Sequence, residues 1–309
     1  MNRRGMLAGA GAVLLLGAAV ALPTMVAPAL ETVPADPDVT TVLEATAAQV
    51  LDVDTQRTVT RDLVLASRTT GFAAAGDPPS GVAVWATNAR MASTDGVVRS
   101  DTWEVQAFDA RTGEASGCCE GFRVTQDGSS EPVRRTGIVL KFPFGTERRD
   151  YDMWDATLGA AVRARFGGAE QVDGVAAYRF TVTIPPTDVG ATEVPSSIVG
   201  VDSVSTVSVR QVYSAERTMW VEPATGGLLD IRQHVHQTLV RGATEVLALD
   251  ATFVLSERSR DSAVRQLGRG VHLGRMHDTY PLALGITGAL LVGLAVGLSR
   301  RGRRGGPAR

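Results

Sequence analysis

The pattern of apolar and polar positions divides the chain into three regimes. Residues 5–30 form an uncharged run, longer than the roughly 20 residues that span a bilayer as a helix. Residues 281–298 form a second uncharged run between Asp278 and Arg300, at the short end of the spanning range. Between them the period changes. β-Branched stretches recur between turn residues, and positions 203–212 alternate along an extended chain. The pattern predicts strands over 58–69, 81–93, 99–108, 135–141, 160–166, 175–185, 201–214, 217–222, 228–241 and 244–256. Asp-Gly pairs at 95–96, 127–128 and 173–174 mark turns. Two stretches read as helical: the Ala-rich and ambiguous Asp36–Leu51, and Glu257–Met276 leading into the second apolar run. The Pro/Gly/Ser-rich residues 186–200 read as a long loop.

The expected fold is mainly β: a curved antiparallel sheet, half-barrel or barrel-like, flanked by N- and C-terminal transmembrane helices. The expected divisions are 1–30 (short tail and first transmembrane helix), 31–256 (β-rich domain), 257–280 (helical connector), 281–299 (second transmembrane helix) and 300–309 (basic tail). A cleaved export signal is the alternative for the first run, since Asn2-Arg3-Arg4 precedes it and Ala27-Pro28-Ala29 resembles a cleavage site. Its length exceeds the usual signal core of about 7–15 residues.

Charge sharpens this topology. The net charge is −2, but every acidic residue lies between Glu31 and Asp278. Arg3, Arg4, Arg300, Arg301, Arg303, Arg304 and Arg309 lie outside. Removing those 7 from 31 basic residues leaves 24 against 33 acids, so the middle carries −9. Basic residues outside both runs place both termini in the cytoplasm and the middle outside the plasma membrane. An acidic middle disfavours nucleic acid as a partner. The expected partners are the membrane, through both helices, an envelope or lipid ligand, and further copies through helix packing at Gly5-x-x-x-Gly9 or Gly293-x-x-x-Gly297.

Two segments echo each other. Asp109-Ala-Arg-Thr-Gly113 and Glu222-Pro-Ala-Thr-Gly226 each follow a stretch bearing a tryptophan, Trp103 or Trp220. They read either as two similar turns or as a duplicated sheet unit. Between them lie Cys118-Cys119, the run Lys141-Phe-Pro-Phe-Gly-Thr-Glu147, Tyr151 and Trp154-Asp155. Asp173-Gly174 and Tyr178 follow, and Thr252-Phe253 precedes the last helical stretch. This pattern resembles the actinobacterial porin PorA family. The resemblance spans nearly the whole chain and implies two terminal membrane helices around an extracytoplasmic domain, with the first helix retained. It implies no catalytic residues.

The chemistry of the residues agrees with a non-enzyme. The chain has no nucleophile elbow, phosphate loop, dinucleotide fingerprint or His-Glu-x-x-His. Lys141 is its only lysine, and Ile138 occupies the serine position of a Ser-x-x-Lys site. No catalytic residue, metal ligand or cofactor is assigned. His234 and His236 share a strand face and read as a surface pair or the start of a metal site. His272 and His277 read as interfacial. Asp150, Asp152 and Asp155 read as a solvated turn or a calcium site. Cys118 and Cys119 leave three alternatives: a vicinal disulfide, two thiols, or bridges between chains. The expected function is a membrane-anchored cell-envelope protein, with a channel component or a structural subunit of a membrane complex as alternatives. A pore would need an oligomer, because two helices enclose none and the middle strands lack an outer-membrane barrel's aromatic girdles.

Overall fold

The computed structural model describes residues 3–73, 76–119, 121–125, 128–201 and 205–304. It leaves undescribed the side chains of 3–6, 8–9, 269, 271, 298–299 and 301–304. The expected basic determinants Arg3, Arg4, Arg301, Arg303 and Arg304 are among those side chains, whereas Arg300 is exposed. Two units divide the chain, residues 33–268 and the paired terminal segments.

Among the described residues the larger unit is one antiparallel sheet of twelve strands: β1 Asp38–Asp52, β2 Arg57–Gly71, β3 Val82–Ser93, β4 Val98–Asp109, β5 Phe122–Val124, β6 Ser130–Pro132, β7 Tyr151–Asp155, β8 Ala160–Val172, β9 Val175–Pro195, β10 Thr206–Val221, β11 Leu228–Arg241 and β12 Thr244–Leu255. Their spatial order is β6-β5-β4-β3-β2-β1-β12-β11-β10-β9-β8-β7. Two six-strand meanders therefore fan out from the central pair β1 and β12. Leu43 lies opposite Leu255, so the chain enters and leaves the sheet at neighbouring points. Ser256 caps helix α3 (Glu257–Leu267) there: its hydroxyl accepts from the Ser259 N–H, and its own N–H donates to the Val42 carbonyl.

The fold class is the expected one. The sheet curls without closing into a ladder. At one end its edges are joined by isolated bridges, Phe108–Ala115, Glu114–Ile138 and Ile138–Met153, which lead from β4 to β7. Phe180, Val182 and Ile184 of β9, Tyr213 of β10 and Phe253 of β12 fill the enclosed face together with Ile138 and Phe142. Each such side chain contributes roughly 1.5–3 kcal/mol by leaving water.

Four expectations change. Asp36–Leu51 is largely strand β1, not helix. Its alanines Ala45 and Ala48 are buried where the sheet needs small side chains, and pairing with β2 and β12 overrides helix propensity. A bulge places Ala47 at φ 55, and its N–H donates to Asp62 Oδ1 at 2.8 Å. Most of 186–200 is not loop but the end of β9, followed by a 3₁₀ turn at Ser196–Val199. The Pro185-Pro186 pair is tolerated because it sits at a register shift against Ser214. Predicted strands 201–214 and 217–222 merge into β10, while residues 202–204 lie outside the described residues. Residues 135–141 form no strand; only Ile138 makes bridges.

The terminal unit pairs helix α1 (Arg3–Ala21), a π-helical turn (Leu22–Val26) and α2 (Ala27–Leu30) with α4 (Val271–His277) and α5 (Thr279–Arg304). Residues 10–30 and 279–297 are long and apolar enough to cross a membrane. Pro23 lacks the N–H that a regular turn would use, and the Thr24 hydroxyl donates back to the Val20 carbonyl at 2.7 Å. The helices pack through glycines outside the expected motif. A Cβ on Gly288 would stand 2.9 Å from Leu16, and one on Gly11 3.6 Å from Leu291. Gly293 and Gly297 face open space, and Gly5 and Gly9 are not among the residues with described surroundings.

Gly226 carries the tightest approach in the domain. It adopts φ +70, and a Cβ there would meet the Phe142 carbonyl oxygen at 2.0 Å. Gly226→Ala is expected to cost at least about 2–4 kcal/mol. Gly145→Ala, at φ +64 with open space around it, should cost only about 1–2 kcal/mol. Denaturant unfolding of the full chain checks this; equal losses would contradict the close approach.

Candidate functional site

The strands β6 and β7 are consecutive in sequence but occupy opposite edges of the sheet. The connecting strap, residues 133–150, must cross between them. It contains the Lys141–Glu147 run and lies between the two echoed turns. In the first turn, Asp109 Oδ1 accepts from the N–H groups of Arg111 (2.9 Å) and Thr112 (2.7 Å) and from the Thr112 hydroxyl (3.0 Å). In the second, the Glu222 carboxylate accepts from the N–H groups of Ala224 (3.0 Å) and Thr225 (2.8 Å) and from the Thr225 hydroxyl (2.6 Å). The acid, threonine and glycine thus do the same work twice. Both turns then offer carbonyls to the strap. Val139 and Phe144 donate to Gly113 and Arg111, each at 3.0 Å. Phe142, Gly145 and Thr146 donate to Gly226, Ala224 and Pro223, at 3.0, 3.0 and 2.7 Å.

Phe142 enters the core, stacked on Phe180 at 4.5 Å and edge-on to Tyr151 at 5.4 Å. Lys141 turns elsewhere. Its Nζ is buried, has no hydrogen-bond partner among the described residues and stands 3.9 Å from the Phe144 ring centroid. Burial pushes the Lys141 ammonium down to about 7, against the opposing attraction of Asp109.

Sequence reading placed Asp150, Asp152 and Asp155 together; the structure gives each a separate partner. Asp150 accepts from the Phe166 N–H at 2.9 Å, and Asp152 pairs with Arg163 at 3.2 Å. Asp155 is buried and accepts from Arg217 at 3.0 Å and from the Tyr213 hydroxyl at 3.3 Å. Burial, and then the Asp155 charge, push the Tyr213 hydroxyl up to about 12. His234 and His236 converge on one carboxylate, Asp250, at 3.1 and 2.9 Å. The His236 hydrogen bond first, and that of His234 in addition, hold the Asp250 carboxyl below its usual range. Among the described residues, no group of three or more His, Cys, Asp or Glu side chains is placed to hold a metal ion. His277 hydrogen-bonds the buried Glu31, and His272 hydrogen-bonds the Tyr280 hydroxyl at 2.8 Å, both within the terminal unit. Cys118 and Cys119 are bonded to each other.

Sequence reasoning missed two buried ion groups because their members are dispersed. One is Asp155–Arg217. The other is Glu104 held by Arg123 at 2.7 Å and Arg135 at 2.9 Å. The isolation of Lys141 as the only lysine was a visible signal, but its burial was not.

These features define a class: one meandering β-domain bracketed by two apolar helices, with its edges joined by a clamped internal strap. The chain belongs to the Porin PorA family, whose model matches residues 5–297. It is 24% identical over 238 residues to a protein named Porin PorA from Corynebacterium resistens, covering 55% of this chain and 58% of that protein. It is 26% identical over 121 residues to a Porin PorA from Corynebacterium amycolatum, covering 31% of each. The chain thus matches under two thirds of the length of either relative.

The folded pKa of Lys141, about 7, lies below the roughly 10.4 of an exposed lysine. Between these values the unfolded chain holds a proton that the folded chain has released, so folding stability rises with pH. The melting temperature is expected to climb from pH 7 to 10, and Lys141→Met to flatten that climb. Identical slopes for both proteins would contradict the buried amine.

Proposed function

We propose that the chain is a non-enzymatic, membrane-anchored cell-envelope protein. On this reading the two terminal helices cross the plasma membrane as a hairpin, both basic tails lie in the cytoplasm, and residues 33–268 stand outside. The observation that carries it is the meeting of β1 and β12: Leu43 faces Leu255, so the domain's entry and exit lie side by side. Two helices leaving neighbouring points suit insertion through one membrane face. Exposed apolar side chains support the anchoring role, among them Leu14, Val20 and Met25 on the first segment and Leu282, Ile286 and Leu290 on the second. The inside of the curved sheet, where a lipid ligand could otherwise lie, is filled by side chains. An envelope ligand would therefore meet the outer surface, where clefts of about 300–330 Å³ lie.

The family name favours a second reading, a channel component. The packed interior argues against a lumen through the β-domain, so conduction on this reading requires several hairpins assembled in the membrane. Two experiments separate the readings. A fluorescent reporter that folds only in the cytoplasm, fused after residue 309, is expected to light up. A fusion at Asp54, in the exposed β1–β2 turn, should stay dark, and the reverse pattern would contradict the topology. Planar-bilayer recording of the purified full chain is expected to be silent; reproducible unitary conductance would favour the channel.

A further inference from the structure

We infer that the Cys118–Cys119 bond is a redox-sensitive lock on a flap covering an aromatic patch outside the sheet. The inference is independent of the proposed anchoring role. The flap leaves β4 after the Asp109–Gly113 turn and returns to the edge as β5. Its start is fixed by the Ser116 N–H donating to the Ala107 carbonyl, and its end by the Val133 N–H donating to the Gly121 carbonyl, each at 2.8 Å. Between these ties the two cysteines, alongside Phe72, Trp103 and Phe122, pack against Val84, Ala86, Val105 and Ala107. Those rings meet edge to face at 5.3–6.1 Å. The patch lies opposite the face carrying Phe108, against which Val139 and Leu140 of the strap pack. The flap therefore covers a satellite cluster, not the main core.

Two features make the bond a control point. Both cysteines are half-buried, so a reductant has partial access. Cys119 sits at φ 63, in the left-handed region, which residues with a Cβ rarely adopt. The covalent ring through both side chains keeps it there. A dithiol reductant breaks the Sγ–Sγ bond by supplying two electrons; each sulfur ends with one proton, and the reductant becomes a disulfide. Residues 118–119 are then free to leave the left-handed conformation, and the flap loosens over the aromatic patch.

Hydrogen exchange on the full-length protein in detergent tests this. Alkylation without reductant is expected to label neither cysteine, and alkylation after a mild dithiol to label both. Amide exchange across residues 114–119 and 121–124 should then quicken at least about tenfold while β9–β11 stay unchanged. Reoxidation should reverse it. Labelling of both thiols before reduction overturns the proposal, as does unchanged exchange in the flap after reduction. Cys118→Ser with Cys119→Ser is expected to exchange like the reduced protein. Should that variant misfold, reduction of the native protein still decides.

Discussion

Five backbone hydrogen bonds from the strap to two Thr-Gly turns hold the domain in its curled form. The constraint comes from topology. Two meanders fan out from a central pair of strands, so β6 and β7 end on opposite edges and the chain between them must cross. A segment crossing the enclosed face carries backbone N–H groups out of reach of water, and these need acceptors. The strand ladders are already paired, so the acceptors come from turns. One turn belongs to each meander, and each is rigidified by its own acid and threonine. The strap therefore ties the two halves through their turns, while Ile138 links the two edges at that end.

The same crossing explains the residue types of the Lys141–Glu147 run. Phe142 supplies apolar bulk to the core, and the turn glycines permit the strap's carbonyls to come close. Lys141 is carried into burial by its neighbours on the strap, and its amine loses much of its proton affinity there. Pairing instead of neutralisation meets the cost of burial at Asp155–Arg217 and at Glu104 with its two arginines. Filling the inside in this way leaves the outer surface and the terminal helices to meet other molecules.

Periodicity in the sequence located most long strands and both apolar helices, because strand alternation and uninterrupted apolar runs are local signals. It failed where tertiary context decides. Ala-rich β1 is central in the sheet, and its small side chains fit there despite their helical preference. Pro186 opened the expected loop, yet with Pro185 it is accommodated at a bulge within β9. The likeness of the two Thr-Gly turns was legible, whereas their common strap was not, since nothing local shows that positions 142 and 226 meet. His234 and His236 were visible as a pair, but Asp250 as their shared partner emerges only from the β11–β12 register.

Because Lys141 is the sole lysine, a lysine-specific protease probes the strap at one bond. The full-length native protein is expected to resist cleavage there, and denaturant-unfolded protein to yield fragments 1–141 and 142–309. Cutting of the native protein at the rate of the unfolded chain would contradict a clamped strap.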